Sequence, residues 1–311
     1  MPAATERGPQ SREIPMKFQR SVLMVLCLLT GAAHAAEAAR PLRILLTNDD
    51  GFAAPGIQAE LAALKNAGFD VTLVAPRENQ SGSGMRVTTT ALTYKEESPG
   101  VWAVDGSPAD AAAVGLKVVL REAPPDLVVS GANLGQNAGR TANISGTVGA
   151  ATMAAQLGVP AVAVSVGLDM KEAKAQPKPF PTTLATFPLA AKFTAALVQQ
   201  LRDSAGTAAL LPAGALLNVN YPALPGGAPK GVKLAAHGTV DAYSFDYKPT
   251  GKPNEVKLAL GPRTAQEPEP ERADTTLFDA GYVTITVLDG DWGAPAAVVE
   301  PVGKRLAPLL H

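Results

Sequence analysis

The 311-residue chain carries 27 Lys and Arg against 28 Asp and Glu, a formal net charge of −1, and only 5% of its residues are aromatic. It offers no basic surface to a nucleic-acid backbone, and its aromatics are too sparse for a base-stacking platform. Three histidines and one cysteine leave no material for a His-rich zinc site and little for a Ser-His-Asp triad.

Residues Met1 to Pro15 are polar and featureless. Lys17 and Arg20 then precede an apolar run from Val22 to Leu29 and small residues ending in Ala33-His34-Ala35. This is the pattern of a secretory signal peptide over residues 1–35, with Met16 an alternative start and cleavage after Ala35. As a helix the run is too short to cross a bilayer. Cys27 lies within it and follows Leu26 rather than a small residue, so it makes no lipoprotein attachment site. The cleaved product would hold no thiol, and the roughly 275 residues left suffice for stability on a hydrophobic core. The expected location is the periplasm.

"LRILLTN", from Leu42 to Asn48, is a continuous apolar run of strand length, as in a strand covered on both faces. Ile57, Leu61 and Leu64 recur at helical spacing up to a stop at Gly68, and "DVTLVAP" is a second strand. After the polar loop "RENQSGSG" come two strand-like runs, "MRVTTTALTY" and "VWAVDG", divided by "KEESPG". Ser107, Pro108 and Asp110 supply a cap, a first-turn proline and a first-turn acid for a helix reaching about Leu120. "DLVVSGANLGQNAG" reads as a strand entering a Gly/Asn loop, "TVGAATMAAQLG" as a helix, and "PAVAVSVG" as a buried strand. Lys171 to Pro181 is a Pro/Lys-rich exposed loop, followed by a helix from Phe187 to Asp203 and the strand "ALLNVNYP".

Alternation at this rhythm predicts an α/β fold, a doubly wound, mostly parallel Rossmann-like sheet over residues 41–222. Residues 223–311 read as a β-rich extension serving oligomerisation, with a charged linker "EPEPERAD" and a last strand "GYVTITVL" that rejoins the core.

Doubly wound sheets gather ligands at the carboxyl ends of their strands, and three segments place oxygen-bearing side chains there. Asn48, Asp49 and Asp50 follow the first strand, Asn79, Gln80, Ser81 and Ser83 the second, and Ser130, Asn133 and Asn137 the strand "DLVV". The adjacent carboxylates repel and resist losing water, and no cation stands near them in sequence. A divalent ion would answer both, and hard oxygen donors suit magnesium, manganese or calcium rather than zinc. The plainer alternatives are an Asp-Gly turn and a flexible serine-glycine loop. Ser145, Gly146 and Thr147 lead into a helix whose first amides are free to hold a phosphate, or are simply capped. "GANLGQNAG" lacks the third glycine of a dinucleotide fingerprint. His237 is the one histidine of the expected mature chain, besides the last residue His311, for a possible catalytic role.

Taken in order, "RILLTNDDGFAAPGI", "VAPRENQSGSG", "DGSPADAA", "PDLVVSGANLGQNAG" and "SGTVGAA" resemble the SurE family, metal-dependent 5′/3′-nucleotidases also described as acid phosphatases. "LLNVNYP" and "GYVTIT" extend the likeness to about Leu288. The resemblance implies one Mg²⁺ or Mn²⁺ per subunit on Asp49, Asp50, Ser81 and Asn133. It places Asn137, Ser145, Gly146 and Thr147 around a phosphate, with Asp49 or Asp50 as general base. It also implies a homodimer or homotetramer. Gln80 stands where many members carry a basic residue, "GSPADA" lacks the usual cysteine, Lys171 to Pro181 reads as an insertion, and "ITVL" replaces "ITPL". The expected activity is hydrolysis of nucleoside 5′- and 3′-monophosphates, with no stable nucleic-acid binding and no membrane association after signal cleavage. The alternative is a periplasmic protein that binds a phosphorylated ligand without cleaving it.

Overall fold

The apolar run after Pro41 forms β1 (Arg43–Thr47), buried at its last four residues. The computed structural model describes residues 40–307 apart from 174, 176–178, 264–268, 291, 292, 294 and 295. The expected leader and His311 lie outside the described residues. From Leu42 onward the chain forms one compact unit.

Around β1 the chain builds β2 (Asp70–Pro76), β3 (Tyr94–Ser98), β4 (Val101–Val104), β5 (Leu127–Leu134), β6 (Ala161–Val166) and β7 (Leu216–Tyr221). Later come β8 (Val232–Ala235), β9 (Tyr243–Pro249), β10 (Val256–Pro262) and β11 (Val283–Leu288). The helices are α1 (Pro55–Asn66), α2 (Pro108–Val114), α3 (Gly146–Gln156), α4 (Pro181–Ala205), α5 (Asp274–Asp279) and α6 (Ala296–Leu306). Nine strands make one sheet in the order β3-β4-β2-β1-β5-β6-β7-β11-β8. From β4 to β7 all neighbours are parallel. β3 joins antiparallel at one side, and β11 pairs antiparallel with β7 and parallel with β8 at the other. β9 and β10 form a separate antiparallel hairpin. Among the described residues no helix is long and apolar enough to cross a membrane.

Side chains alternate across a strand, so β1 feeds two cores. Ile44 and Leu46 pack with Ile57 and Leu64 of α1 and Phe187 and Val198 of α4. Leu45 packs on the other face with Ala111 of α2 and Val148 and Ala151 of α3. Each such fully buried aliphatic side chain contributes about 1.5–3 kcal/mol. The sequence direction reverses at β1, which sends β2 to one side and β5 to the other, and the crevice at that switch is where a ligand belongs.

Two elements depart from the sequence reading. Met85 to Thr93 is not a strand: Thr88 gives its amide and hydroxyl to the two oxygens of Asp110, at 2.9 and 2.7 Å, so its amide bonds the acid of the α2 capping box instead of a neighbouring strand. The strand β3 falls instead on the segment expected to divide the two runs, folded back on β4 around Gly100. Helix α4 begins at Pro181, six residues before Phe187, because Glu172 accepts from the amide and hydroxyl of Thr182 at 2.9 and 2.5 Å.

Between α1 and α4 lies a buried acid, Glu60, whose only side-chain partner among the described residues is Thr194 at 2.9 Å. Burial pushes its pKa up to about 8. A neutral Glu60 fits the contacts: its proton can go to Thr194 Oγ1, whose own proton goes to the Ala190 carbonyl at 3.0 Å. The folded acid therefore keeps a proton that the unfolded one releases above its ordinary value. Its contribution is complete below that value and is lost as pH rises toward 8, by at most about 1.4 kcal/mol per pH unit. Urea melts at pH 5.5 and 7.5 should show wild type losing on the order of 2 kcal/mol relative to Glu60→Gln. Parallel pH profiles would mean that Glu60 is ionised in the fold.

Candidate active site

β1 ends at the switch point, and its next three residues set the site. The Asn48 side chain donates to the Gly51 carbonyl at 2.9 Å and accepts from the Gly51 amide at 3.2 Å. That closes a turn which Gly51 completes at φ 103, a conformation open to glycine. The Asp-Gly turn is thus real, but Asn48 closes it and leaves both aspartate side chains for other partners.

Asp49 is buried and accepts from Thr147 Oγ1 at 2.6 Å. Burial first, and the Asp50 charge second, push its pKa up to about 7, while the hydroxyl and amide of Thr147 pull it down. Asp50 accepts from the Leu134 amide at 2.9 Å and from Asn79 Nδ2 at 3.1 Å, and burial raises it as well. Among the described residues no Lys, Arg or His stands within ion-pair distance of either carboxylate.

The serine-glycine loop is tied to this strand end by the Gln80 amide, which donates to the Asp49 carbonyl at 2.7 Å. Ser81 stays exposed, its amide donating to Asn79 Oδ1. Asn133 is buried and spends its NH₂ on the Gly135 carbonyl at 2.6 Å, which leaves its amide oxygen for a ligand. Asn137 is fixed on three sides. Its amide donates to Asn220 Oδ1, its Nδ2 to Ser165 Oγ, and its carbonyl accepts from Asn218 Nδ2, at 2.7–2.8 Å.

A cavity of about 210 Å³ lies against Asp49, Ser81, Asn133, Asn137 and Ser145. Asp50, Gly146 and Thr147 do not line it. Asp50 is turned to Leu134 and Asn79, Thr147 stands behind Asp49, and Gly146 presses on the Asp49 side chain. The start of α3 is not a free anion site in this state. The Val148 amide, among the first of the helix, donates to Ser145 Oγ at 3.1 Å. The Thr147 amide and hydroxyl both serve Asp49. Capping by Ser145 is therefore what its hydroxyl does, and the positive helix end serves the Asp49 carboxylate.

His237 lies outside this cavity. It lines another of about 220 Å³ with Met85, Thr152 and Asp289, and its Nδ1 is 3.9 Å from Asp274 Oδ2.

The donor chemistry fits a hard divalent ion. Two carboxylates that burial and mutual repulsion disfavour as anions have no cationic partner, and the remaining candidates at the cavity are neutral oxygens. Among the described residues no cluster of three or more His, Cys, Asp or Glu exists, which excludes there the nitrogen and sulfur sets that hold zinc.

Sequence reading missed the far wall of the cavity, made by Leu134, Ile144, Tyr243, Phe245, Leu258 and Leu260. Four of these belong to the β9–β10 hairpin, whose alternating apolar residues in "AYSFDY" and "VKLAL" were the available signal. It also missed the clamp on Asn137, although Asn218 and Asn220 alternate in an otherwise apolar strand.

A family model described as "Survival protein SurE" matches residues 44–243. The chain is similar to the 5′/3′-nucleotidase SurE of Edwardsiella ictaluri, 34% identical over 271 residues, covering 85% of this chain and 97% of that one. It is 36% identical over 275 residues to the 5′-nucleotidase SurE of Sorangium cellulosum, covering 88% and 98%. A crystal structure of the SurE protein from Aquifex aeolicus superposes with a TM-score of 0.67 at 31% identity, covering 85% of this chain and 99% of that one.

Proposed function

The chain belongs to the SurE family, and on that premise we propose that it is a metal-dependent phosphomonoesterase, a nucleotidase that releases phosphate from nucleoside 5′- and 3′-monophosphates. One observation carries the reading: two adjacent carboxylates with no cationic side chain in ion-pair range among the described residues, at the switch point of the sheet and beside the free oxygen of Asn133. A phosphate entering that cavity would be repelled unless a cation intervened. Simple retention of a phosphorylated ligand has no comparable support, since the relatives are named for nucleotidase activity.

Asp49, Asp50, Ser81 and Asn133 would hold the ion, Mg²⁺ or Mn²⁺. When bound, it supplies a Lewis acid for a phosphoryl oxygen and a more acidic water. The chain does the rest. Thr147 holds Asp49 in one orientation, and the Leu134 amide does the same for Asp50. Of the two carboxylates Asp49 lines the cavity, and it is the one placed to take a proton from an attacking water. Asn137, immobilised by Ser165, Asn218 and Asn220, presents its side chain to a non-bridging oxygen with little reorganisation.

Phosphate release from adenosine 5′-monophosphate is the test. It should stop with EDTA and return with excess Mn²⁺ or Mg²⁺. Release unaffected by chelator would remove the metal from the reading.

The signal pattern supports a periplasmic protein cut after Ala35, which the intact mass of exported protein checks: a retained Met1 or Met16 in a soluble exported product would overturn it. Self-association as a homodimer or homotetramer is supported by apolar side chains that the extension leaves exposed, Val299, Val302 and Leu306 of α6. Light scattering would return a single-chain mass if that proposal were wrong.

A further inference from the structure

We propose that the β9–β10 hairpin is a leaving-group subsite, an apolar wall on which the ring of a nucleotide base stacks; this rests on reading the adjoining cavity as a phosphomonoesterase site. The hairpin pairs Tyr243 with Pro262, Phe245 with Leu260, Tyr247 with Leu258 and Pro249 with Val256. Because side chains alternate, these eight share one face, while Ser244, Asp246 and Lys248 share the other with Lys257, Ala259 and Gly261. One face is therefore wholly apolar or aromatic. An isolated two-stranded hairpin gains little from such a face unless something covers it.

The near half of that face is built into the site. Tyr243, Phe245, Leu258 and Leu260 line the cavity that also holds Asp49, Ser81 and Asn133. Phe245 is 37% exposed, so its ring is held by neighbours yet open to a ligand. Leu134 and Ile144 extend the apolar lining of the same cavity. Two polar groups on this side, the Tyr243 hydroxyl and the Gln136 side-chain oxygen, are engaged with each other. The Tyr243 hydroxyl donates to Gln136 Oε1 at 2.6 Å, and the Leu168 amide donates to the same oxygen at 3.0 Å. A group leaving the phosphate toward this wall meets the apolar side chains of Phe245, Leu258 and Leu260. That chemistry selects for a ring over a polyol and is tolerant of which base carries it. The match to the family model ends at residue 243, so Phe245, Leu258 and Leu260 lie beyond it.

The test compares phosphate release from adenosine 5′-monophosphate and from glycerol 2-phosphate, which has no ring, by the full-length protein with Mn²⁺. Phe245→Ser should lower the ratio of the two kcat/KM values about tenfold, equivalent to about 1.4 kcal/mol, mainly through KM for the nucleotide. Phe245→Tyr should restore the ratio. Tyr247→Ser, on the same face but away from the cavity, should keep the wild-type ratio. An unchanged ratio in Phe245→Ser, or an equal fall in Tyr247→Ser, would overturn the subsite. Failure of wild type to release phosphate from either compound would overturn the function reading instead. Calorimetric titration with adenosine then decides the wall separately: tenfold weaker binding by Phe245→Ser supports it, and equal binding refutes it.

Discussion

Asp49→Asn should lower nucleotidase activity by at least two to three orders of magnitude while the protein stays folded. The substitution keeps the shape of the side chain, and its Oδ1 can still accept from Thr147, 2.6 Å away in the wild type. What it removes is one of the two charges offered to the cation, and with it the candidate for the proton acceptor. Stability separates this account from simple damage. Without metal, the variant should melt no lower than wild type, because it no longer buries a carboxylate at position 49 and ends its repulsion with Asp50, the two causes that raise Asp49. Metal that binds only the folded state adds RT ln(1 + [L]/Kd), about 2.7 kcal/mol at a hundredfold excess over Kd. That gain should appear in wild type and shrink sharply in Asp49→Asn. Thermal melts with and without Mn²⁺, read beside the rates, check both halves. Equal metal stabilisation of the two proteins would place the ion elsewhere.

How much of this was legible in the sequence depends on where each residue gets its partner. The parallel core could be read because β1, β5 and β6 are apolar on both faces and fall between helices of ordinary length. The Asp49 and Asp50 pair could be read because two like charges at the end of such a strand pose a physical problem within a few residues. Local pattern failed where a distant side chain takes over a backbone group. Thr88 has a strand-like neighbourhood, yet Asp110 captures its amide from 22 residues away. The roles around α3 were hidden for the same reason. Ser145, Gly146 and Thr147 look alike as a phosphate-binding helix start, but Ser145 caps its own helix and Thr147 answers to Asp49, 98 residues earlier in the chain. The apolar wall was hidden differently. Its alternation was visible, but nothing in a two-residue period says that a hairpin will lie over a site built by β1 and β5.

Gly146→Ala should cripple the enzyme by a different route from Asp49→Asn. The backbone here is not the obstacle, since Gly146 does not have a positive φ and alanine is the better helix former. The obstacle is the carboxylate. A Cβ at position 146 would come within 2.8 Å of Asp49 Cβ, 2.9 Å of Asp49 Oδ2 and 2.8 Å of Ser83 Oγ. Ser83 can rotate away, but Asp49 Cβ is fixed by the end of β1, so the aspartate or the start of α3 has to move by several tenths of an ångström. Either movement stretches the Thr147 bond that orients Asp49. Loss of an orienting partner costs a metal site about 10–100-fold in affinity or activity. The expected result is a raised Mn²⁺ requirement, with the activity curve shifted about tenfold or more to higher metal and partial recovery at saturation. Asp49→Asn, which lacks the charge itself, should not recover at any metal concentration. A wild-type metal titration for Gly146→Ala would show that Asp49 can move without consequence, and the close packing of helix start and carboxylate would then be irrelevant to the chemistry.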